Sequence, residues 1–196
     1  MKCFAITGGI GCGKSMLARM MADMGCRVLD ADDVVHELEA AGGDAVAPIV
    51  AAFGRDTLHA DGSVDRRRLG RLVFGDAAAL ERLNAIVHPL VRRRFEAWAA
   101  AAGDGIGVGV VPLLFETGWT DPWAGVVCVS CGPDEQVRRL RARGWSDEEI
   151  RRRLDAQWPL SEKERRADWV IHNDGSVEQL ARNAAVVLRA MMEKVV

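Results

Sequence analysis

The sequence has no apolar run near the ~18 residues that a membrane-crossing helix needs. Its opening apolar residues run at once into Gly8-Gly9, which is not the layout of a secretory signal. Lysine is scarce, and most basic residues are arginine. The formal net charge is only -2, so the positive excess that nucleic-acid binding demands is missing. Five cysteines, an odd number without framework spacing, argue against a disulfide scaffold and fit a reducing compartment. Neither an internal repeat nor a low-complexity linker is found. These absences lead to the expectation of a soluble cytoplasmic protein with no nucleic-acid or membrane partner; a monomer or weak homo-oligomer is the expected assembly, which composition does not itself fix. What is present is globular: 49% hydrophobic and 28% charged residues, in 196 residues that suffice for one domain or a core with an insertion. The arginine bias reflects either codon usage or phosphate handling, for which the planar guanidinium fork is suited.

Lys2 to Thr7 (KCFAIT) is a short apolar run closed by glycines, which predicts a buried strand. From Lys14 to Met24, the residues Leu17, Met20, Met21 and Met24 recur at helical spacing, and Gly25 supplies the stop. Cys26 to Leu29 reads as a second strand ending at Asp30. Strand, glycine-rich turn, helix, strand is a βαβ unit, so an α/β fold with a parallel sheet follows. From Ala31 to Ala102 the pattern is almost wholly helical, with breaks at Gly42-Gly43, Gly54, Asp61-Gly62 and Gly75. Pro89 is expected to end one helix at about His88 and to open the next. Ile106 to Val111, Gly125 to Val129 and Trp169 to Ile171 complete a five-stranded sheet. Pro133 to Arg143, Ser146 to Gln157 and Val177 to Lys194 are expected helices, the second opened by the capping box Ser146-Asp147-Glu148-Glu149.

Gly8-Gly9-Ile10-Gly11-Cys12-Gly13-Lys14-Ser15 fits the P-loop pattern of Gly, four residues, Gly, Lys, Ser/Thr. At this chain's residue frequencies the pattern arises by chance about 0.002 times per chain, which favours a phosphate-binding loop over an incidental turn. Glycines let main-chain N–H groups turn onto phosphate oxygens, and the following helix adds its positive dipole end. Gly9, Ile10, Gly11, Cys12, Gly13, Lys14, Ser15 and Met16 are therefore expected to bind ATP. Lys14 would reach the β- and γ-phosphates, and the Ser15 hydroxyl would ligate Mg²⁺. No asparagine here precedes a lysine, so the GTPase base-recognition pattern Asn-Lys-x-Asp is absent and a small kinase fits better.

Asp30-Ala31-Asp32-Asp33 closes the second strand, whose carboxyl end faces the nucleotide crevice in such a fold. A carboxylate there can take a proton from an attacking hydroxyl or hold metal-bound water, and one of them can cap a helix from Val34 to Ala40. Glu116 follows the third strand; it can ligate metal through water, bond a substrate, or simply start a helix. His88 is either a capping residue or a substrate contact. Nine arginines lie between Arg138 and Arg166, many of them solvated or paired with nearby acids. Arg139 and Arg143 share a helix face and can clamp phosphate oxygens when a lid closes. Cys128-Val129-Ser130-Cys131 has CxxC spacing but no second pair or histidine, and reads as packing. Trp119 and Trp123 read as packing before pocket lining. His36, His59 and His172 are isolated.

Taken together, several blocks resemble the dephospho-CoA kinase family. They are Thr7 to Ser15 with Val28-Leu29-Asp30-Ala31-Asp32, then Leu83 to Arg92 (LNAIVHPLVR), then Val111 to Glu116 (VPLLFE). Gln136 with Arg139 and Arg143, and Ala167 to Gly175 (ADWVIHNDG), complete the set in family order. The resemblance implies the last step of coenzyme A biosynthesis, ATP + dephospho-CoA → ADP + CoA, with phosphorylation at the ribose 3′-hydroxyl. It implies Asp32 as base, with Lys14, Arg139 and Arg143 also catalytic. It further implies substrate contacts at Thr7, Asp32, His88, Arg92, Leu114 and Glu116. Met16 departs from the family's usual threonine, but Ser15 already supplies the metal hydroxyl. The implied layout is a P-loop NTP hydrolase fold with a nucleotide-binding core at about 1–33, 104–132 and 167–196. A helical substrate-binding region spans about 34–103 and a lid about 133–166. Two alternatives stand beside it. One is another small P-loop kinase acting on a nucleoside monophosphate or metabolite, and the other is a non-enzymatic ATP-binding module.

Overall fold

The computed structural model of the chain describes residues 1–101 and 103–194. Ala102 and the last two residues, where the expected helical stretch and core segment end, lie outside them. The strands are β1 (Lys2–Gly8), β2 (Arg27–Asp30), β3 (Ile106–Val110), β4 (Val126–Ser130) and β5 (Trp169–His172). They form one parallel sheet in the order β2-β3-β1-β4-β5. The central strand β1 and its neighbour β4 are apolar and buried along most of their length, as parallel strands covered on both faces must be. The register sets Gly8 beside Val129, Asp30 beside Val110 and Ser130 beside His172. The carboxyl ends of the strands therefore emerge along one edge, where ligands bind in such sheets.

The helices are α1 (Lys14–Asp23), α2 (Ala31–Glu39), α3 (Val46–Phe53), α4 (Arg66–Val73), α5 (Ala77–Ala100), α6 (Pro133–Ala142), α7 (Asp147–Asp155), α8 (Leu160–Arg166) and α9 (Val177–Glu193). Leu17 and Met21 of α1 join Leu180, Ala184 and Met191 of α9 against Phe4, Ile6, Val108, Val127 and Ile171 of the sheet. Each large apolar side chain removed from water contributes about 1.5–3 kcal/mol. Ser146 caps α7 by accepting from the Glu149 amide at 3.2 Å, as its sequence motif predicts.

The chain divides into two compact units, Met1–Asp30 with Ala99–Val196, and Ala31–Trp98. The first contains the sheet, α1 and α6 to α9. The second is built from α2, α3, α4 and nearly all of α5, with a 3₁₀ turn at Arg55–Thr57. A Leu58–Val64 bridge pins its one extended excursion, and Asp65 caps α4 through the Arg67 and Arg68 amides, both at 3.0 Å. Two expectations change here. Helix α2 begins at Ala31, not Val34, so Asp32 and Asp33 occupy its first turn, where the macrodipole favours carboxylates. Pro89 does not end a helix, because α5 continues through it. Proline removes one helical hydrogen bond, yet Val87, Val91 and Phe95 carry a buried stripe across it, and that burial outweighs the loss.

Candidate active site

The P-loop connects β1 to α1, and its shape depends on two glycines. Gly8 has φ 135°, and a Cβ there would lie 2.0 Å from the Val129 carbonyl oxygen. Gly13 has φ 103°, and its Cβ would lie 2.3 Å from the Asn173 amide nitrogen. The first turn of α1 is anchored on Gly13, whose carbonyl accepts from Met16 at 3.1 Å and Leu17 at 3.0 Å. The first amides of a helix have no acceptor within it, so this end suits an anion. Lys14 folds back over the loop and donates to the carbonyls of Gly8 (3.2 Å) and Gly9 (2.9 Å). Ser15 and Met16 are exposed at the same end.

Residues distant in sequence hold the loop from outside. The buried Gln136 of α6 donates to the Ile10 carbonyl at 2.6 Å, and Gln157 accepts from the Ile10 amide at 3.3 Å. Asn173, just past β5, donates to the Cys12 carbonyl at 2.8 Å. Arg139 approaches the same oxygen at 3.5 Å, donates to the Asn173 carbonyl at 2.7 Å, and pairs with Glu135 at 2.6 Å. Hydrogen bonding from Arg138, then from Arg139, holds the Glu135 carboxyl down to about 2. Arg143 stands past the end of α6 and is exposed, so the helix face expected to carry both arginines ends between them.

A second group of residues gathers behind β3. Pro112 to Gly118 forms consecutive turns, and Glu116 projects from them. Its Oε1 is 2.6 Å from the ammonium of Lys163, a fully buried residue of α8, and accepts from the Trp158 amide at 3.0 Å. Lys163 and the Thr7 hydroxyl both donate to the Pro112 carbonyl, at 3.1 and 3.2 Å. Glu116 Oε2 is buried and has no hydrogen-bond partner among the described residues. A buried acceptor left in that state costs about 1–3 kcal/mol and asks for an explanation in function. Trp158 stacks on Phe115, with ring centroids 6.5 Å apart, and Arg166 covers it at 4.7 Å. Leu114 is fully buried, so its side chain belongs to the core while Leu113 is exposed.

In the Ala31–Trp98 unit, His88 and Arg92 stand one turn apart on α5. Burial, then the Arg92 charge, pushes His88 below its ordinary value, so it is neutral at pH 7 and offers hydrogen bonds rather than charge. Asp30 ends β2 at the nucleotide edge of the sheet, and Asp32 lies two residues further along, exposed. Sequence pattern alone marks neither Gln157 nor Lys163 and gives Asn173 no role. The available signal for Lys163 is its rarity: one lysine among arginines marks a place where a point charge fits and a planar fork does not.

The chain matches the dephospho-CoA kinase family over residues 2–179. It is 39% identical over 196 residues to a dephospho-CoA kinase of Bdellovibrio bacteriovorus, covering 98% of each chain. A dephospho-CoA kinase of Geobacillus kaustophilus is 43% identical over 188 residues, covering 94% of each. A crystal structure of a Thermus thermophilus protein superposes with TM-score 0.86 at 37% identity, over 96% of this chain and 97% of that one.

Proposed function

The chain belongs to the dephospho-CoA kinase family, and from that premise we propose that it transfers the γ-phosphoryl group of ATP to the ribose 3′-hydroxyl of dephospho-CoA, giving ADP and coenzyme A. The observation that carries this reading is the family match over residues 2–179 in a chain whose P-loop leaves the carboxyl end of a central parallel strand. ATP lies with its phosphates on the loop amides and Lys14. The donor set suits magnesium. No cluster of three or more His, Cys, Asp or Glu side chains among the described residues forms a cation cage, and magnesium beside a nucleotide needs few protein ligands. The Ser15 hydroxyl would hold it, and the ion would supply charge neutralisation for the phosphoryl group being transferred.

Asp32 orients the acceptor hydroxyl and takes its proton; its place in the chain just beyond β2 supports this role. Lys14, Arg139 and Arg143 neutralise charge developing on the transferred group. Glu116 Oε2, without a hydrogen-bond partner among the described residues, supports a contact with substrate or with metal-bound water, to which Thr7 and the main chain of Leu114 would add. The Ala31–Trp98 unit binds the acceptor through His88 and Arg92. The segment α6 to α8 acts as a lid that excludes water, which would otherwise hydrolyse ATP. Among the described residues no helix is long and apolar enough to cross a membrane. The family's place in coenzyme A biosynthesis supports a cytoplasmic enzyme, and a monomer or weak homo-oligomer is the proposed assembly.

With MgATP and dephospho-CoA, ADP release should accompany addition of one phosphate to the acceptor, assigned to the 3′ position by phosphorus NMR. Turnover on AMP, CMP or shikimate without turnover on dephospho-CoA would overturn the substrate. ATP binding with no acceptor phosphorylated would point to a binding module. Asp32→Asn is expected to lower kcat about 100-fold or more, with Asp30→Asn much milder. The reverse order would move the base to Asp30.

A further inference from the structure

The P-loop carries an unusual neighbour. Cys12, its fifth residue, is fully buried, and the sulfur of Cys131 lies 3.2 Å from its own. Cys131 is also buried and stands immediately after β4, in the turn that opens α6. All five cysteines are free thiols. The CxxC spacing of Cys128 and Cys131 therefore points to the wrong partner: the thiol facing Cys131 comes from a residue 119 positions away. Cys128 lies within β4, where burial, then the Glu164 charge, pushes its thiol up to about 12.

We infer that Cys12 and Cys131 form a reversible disulfide that switches off nucleotide binding at the P-loop, an inference that rests on the proposed reading of this loop as the ATP site. The two sulfurs need to approach by about 1.1 Å to reach the ~2.05 Å of a disulfide. The two thiols are unequal. The Cys131 S–H bond first, and the Lys14 ammonium as well, hold the Cys12 thiol below its ordinary value, while the same contact raises Cys131. Cys12 is thus the more acidic of the two thiols and, once deprotonated, the attacking partner. The oxidant is a hydroperoxide. The Cys12 thiolate attacks its terminal oxygen, the O–O bond breaks, and Cys12 sulfenic acid and an alcohol (or water) are formed. The Cys131 thiol then attacks the sulfenic sulfur and water departs. In sum, two thiols and one hydroperoxide give a disulfide, an alcohol and water, with two electrons passing to the O–O bond.

The consequence follows from where Cys12 is held. Its carbonyl is bonded by Asn173 and its amide by the Gly9 carbonyl, so moving its side chain drags the loop's main chain. Phosphate is gripped by those amides, and an error near 1 Å at a reacting group costs on the order of 100-fold. Bound ATP fixes the loop and should slow the oxidation. Disulfides in reducing compartments are mostly transient and redox-sensing, which matches a bond of this kind.

The test uses the full chain. Reduced protein is first titrated with MgATP by calorimetry, since failure to bind there would sink the nucleotide reading itself. The same protein is then treated with hydrogen peroxide. Peptide mapping should find Cys12 linked to Cys131, with about 100-fold lower turnover, restored by dithiothreitol and prevented by prior MgATP. Cys131→Ser should keep basal turnover and escape the dithiothreitol-reversible loss, while Cys128→Ser should remain as sensitive as the parent. The inference fails if oxidised protein contains no Cys12–Cys131 peptide. It fails equally if the linked protein binds MgATP as tightly as the reduced form. Both of those measurements are made on the parent chain, so they decide the matter even if a variant does not fold.

Discussion

The P-loop and the Glu116–Lys163 pair both belong to the sheet-bearing unit, and they are built on opposite principles. The loop is a continuous stretch of main chain whose groups are bonded by neutral amides from Gln136, Gln157 and Asn173. Its one charge, Lys14, rests on carbonyls of the loop itself. The pair behind β3 instead joins a fully buried ammonium to a mostly buried carboxylate from a distant segment, and one carboxylate oxygen has no hydrogen-bond partner among the described residues. The difference teaches where removal of a side chain will be felt. Charge taken from the loop should cost function and spare the fold. Charge taken from the pair should cost the fold first, because the remaining ion stays buried and uncompensated.

The sharpest way to break this contrast is Lys14→Ala. Turnover should fall at least about 10³-fold while the unfolding midpoint stays close to the parent's; full activity would remove Lys14 from the chemistry. Next comes Lys163→Met, which should destabilise by about 3–5 kcal/mol in urea titration, because the mostly buried Glu116 loses its ammonium partner. Adding Glu116→Gln should recover part of that loss. Strict additivity of the two changes would deny the pairing. A smaller effect is expected from Gln136→Ala, about 1 kcal/mol of stability with weaker MgATP binding, since only one neutral bond to the Ile10 carbonyl is lost. Unaltered ATP affinity in that variant would show that the loop needs no external support.

The smallest effect concerns the exposed edge of α6. The Glu135 carboxyl sits at about 2 in the folded protein, against an ordinary 4.5. Its folded value is depressed, so its stabilising contribution is complete above about 4.5 and disappears as pH falls through about 2. Carbon-13 titration should place its midpoint in that low range. Arg138→Ala should move the midpoint upward while Arg139 holds part of the shift. A midpoint unmoved by that substitution would assign the effect to Arg139 alone.

Much of the fold could be read from local pattern. The five strands are short apolar runs, each bounded by glycine, charge or proline, and their positions follow from that punctuation. Capping at Ser146 was equally visible. Pro89 misled because a local rule about a missing N–H was set against a buried stripe that only tertiary packing supplies. The arginine pair misled in part: helical spacing does join positions 139 and 143, but α6 stops at Ala142, and Arg139 turns to Asn173 and Cys12.

By itself, the sequence determined the P-loop, the parallel sheet around it and the family to which the chain belongs. Those depend on contiguous residues, whose spacing dictates the local backbone and its hydrogen-bonding groups. Only the tertiary structure decided that Lys163 meets Glu116, that Gln157 and Asn173 grip the loop, and that Cys12 faces Cys131 and not Cys128. These contacts join segments tens to more than a hundred residues apart. They are selected by strand register and by the free energy of burying charge and sulfur, which no short pattern encodes.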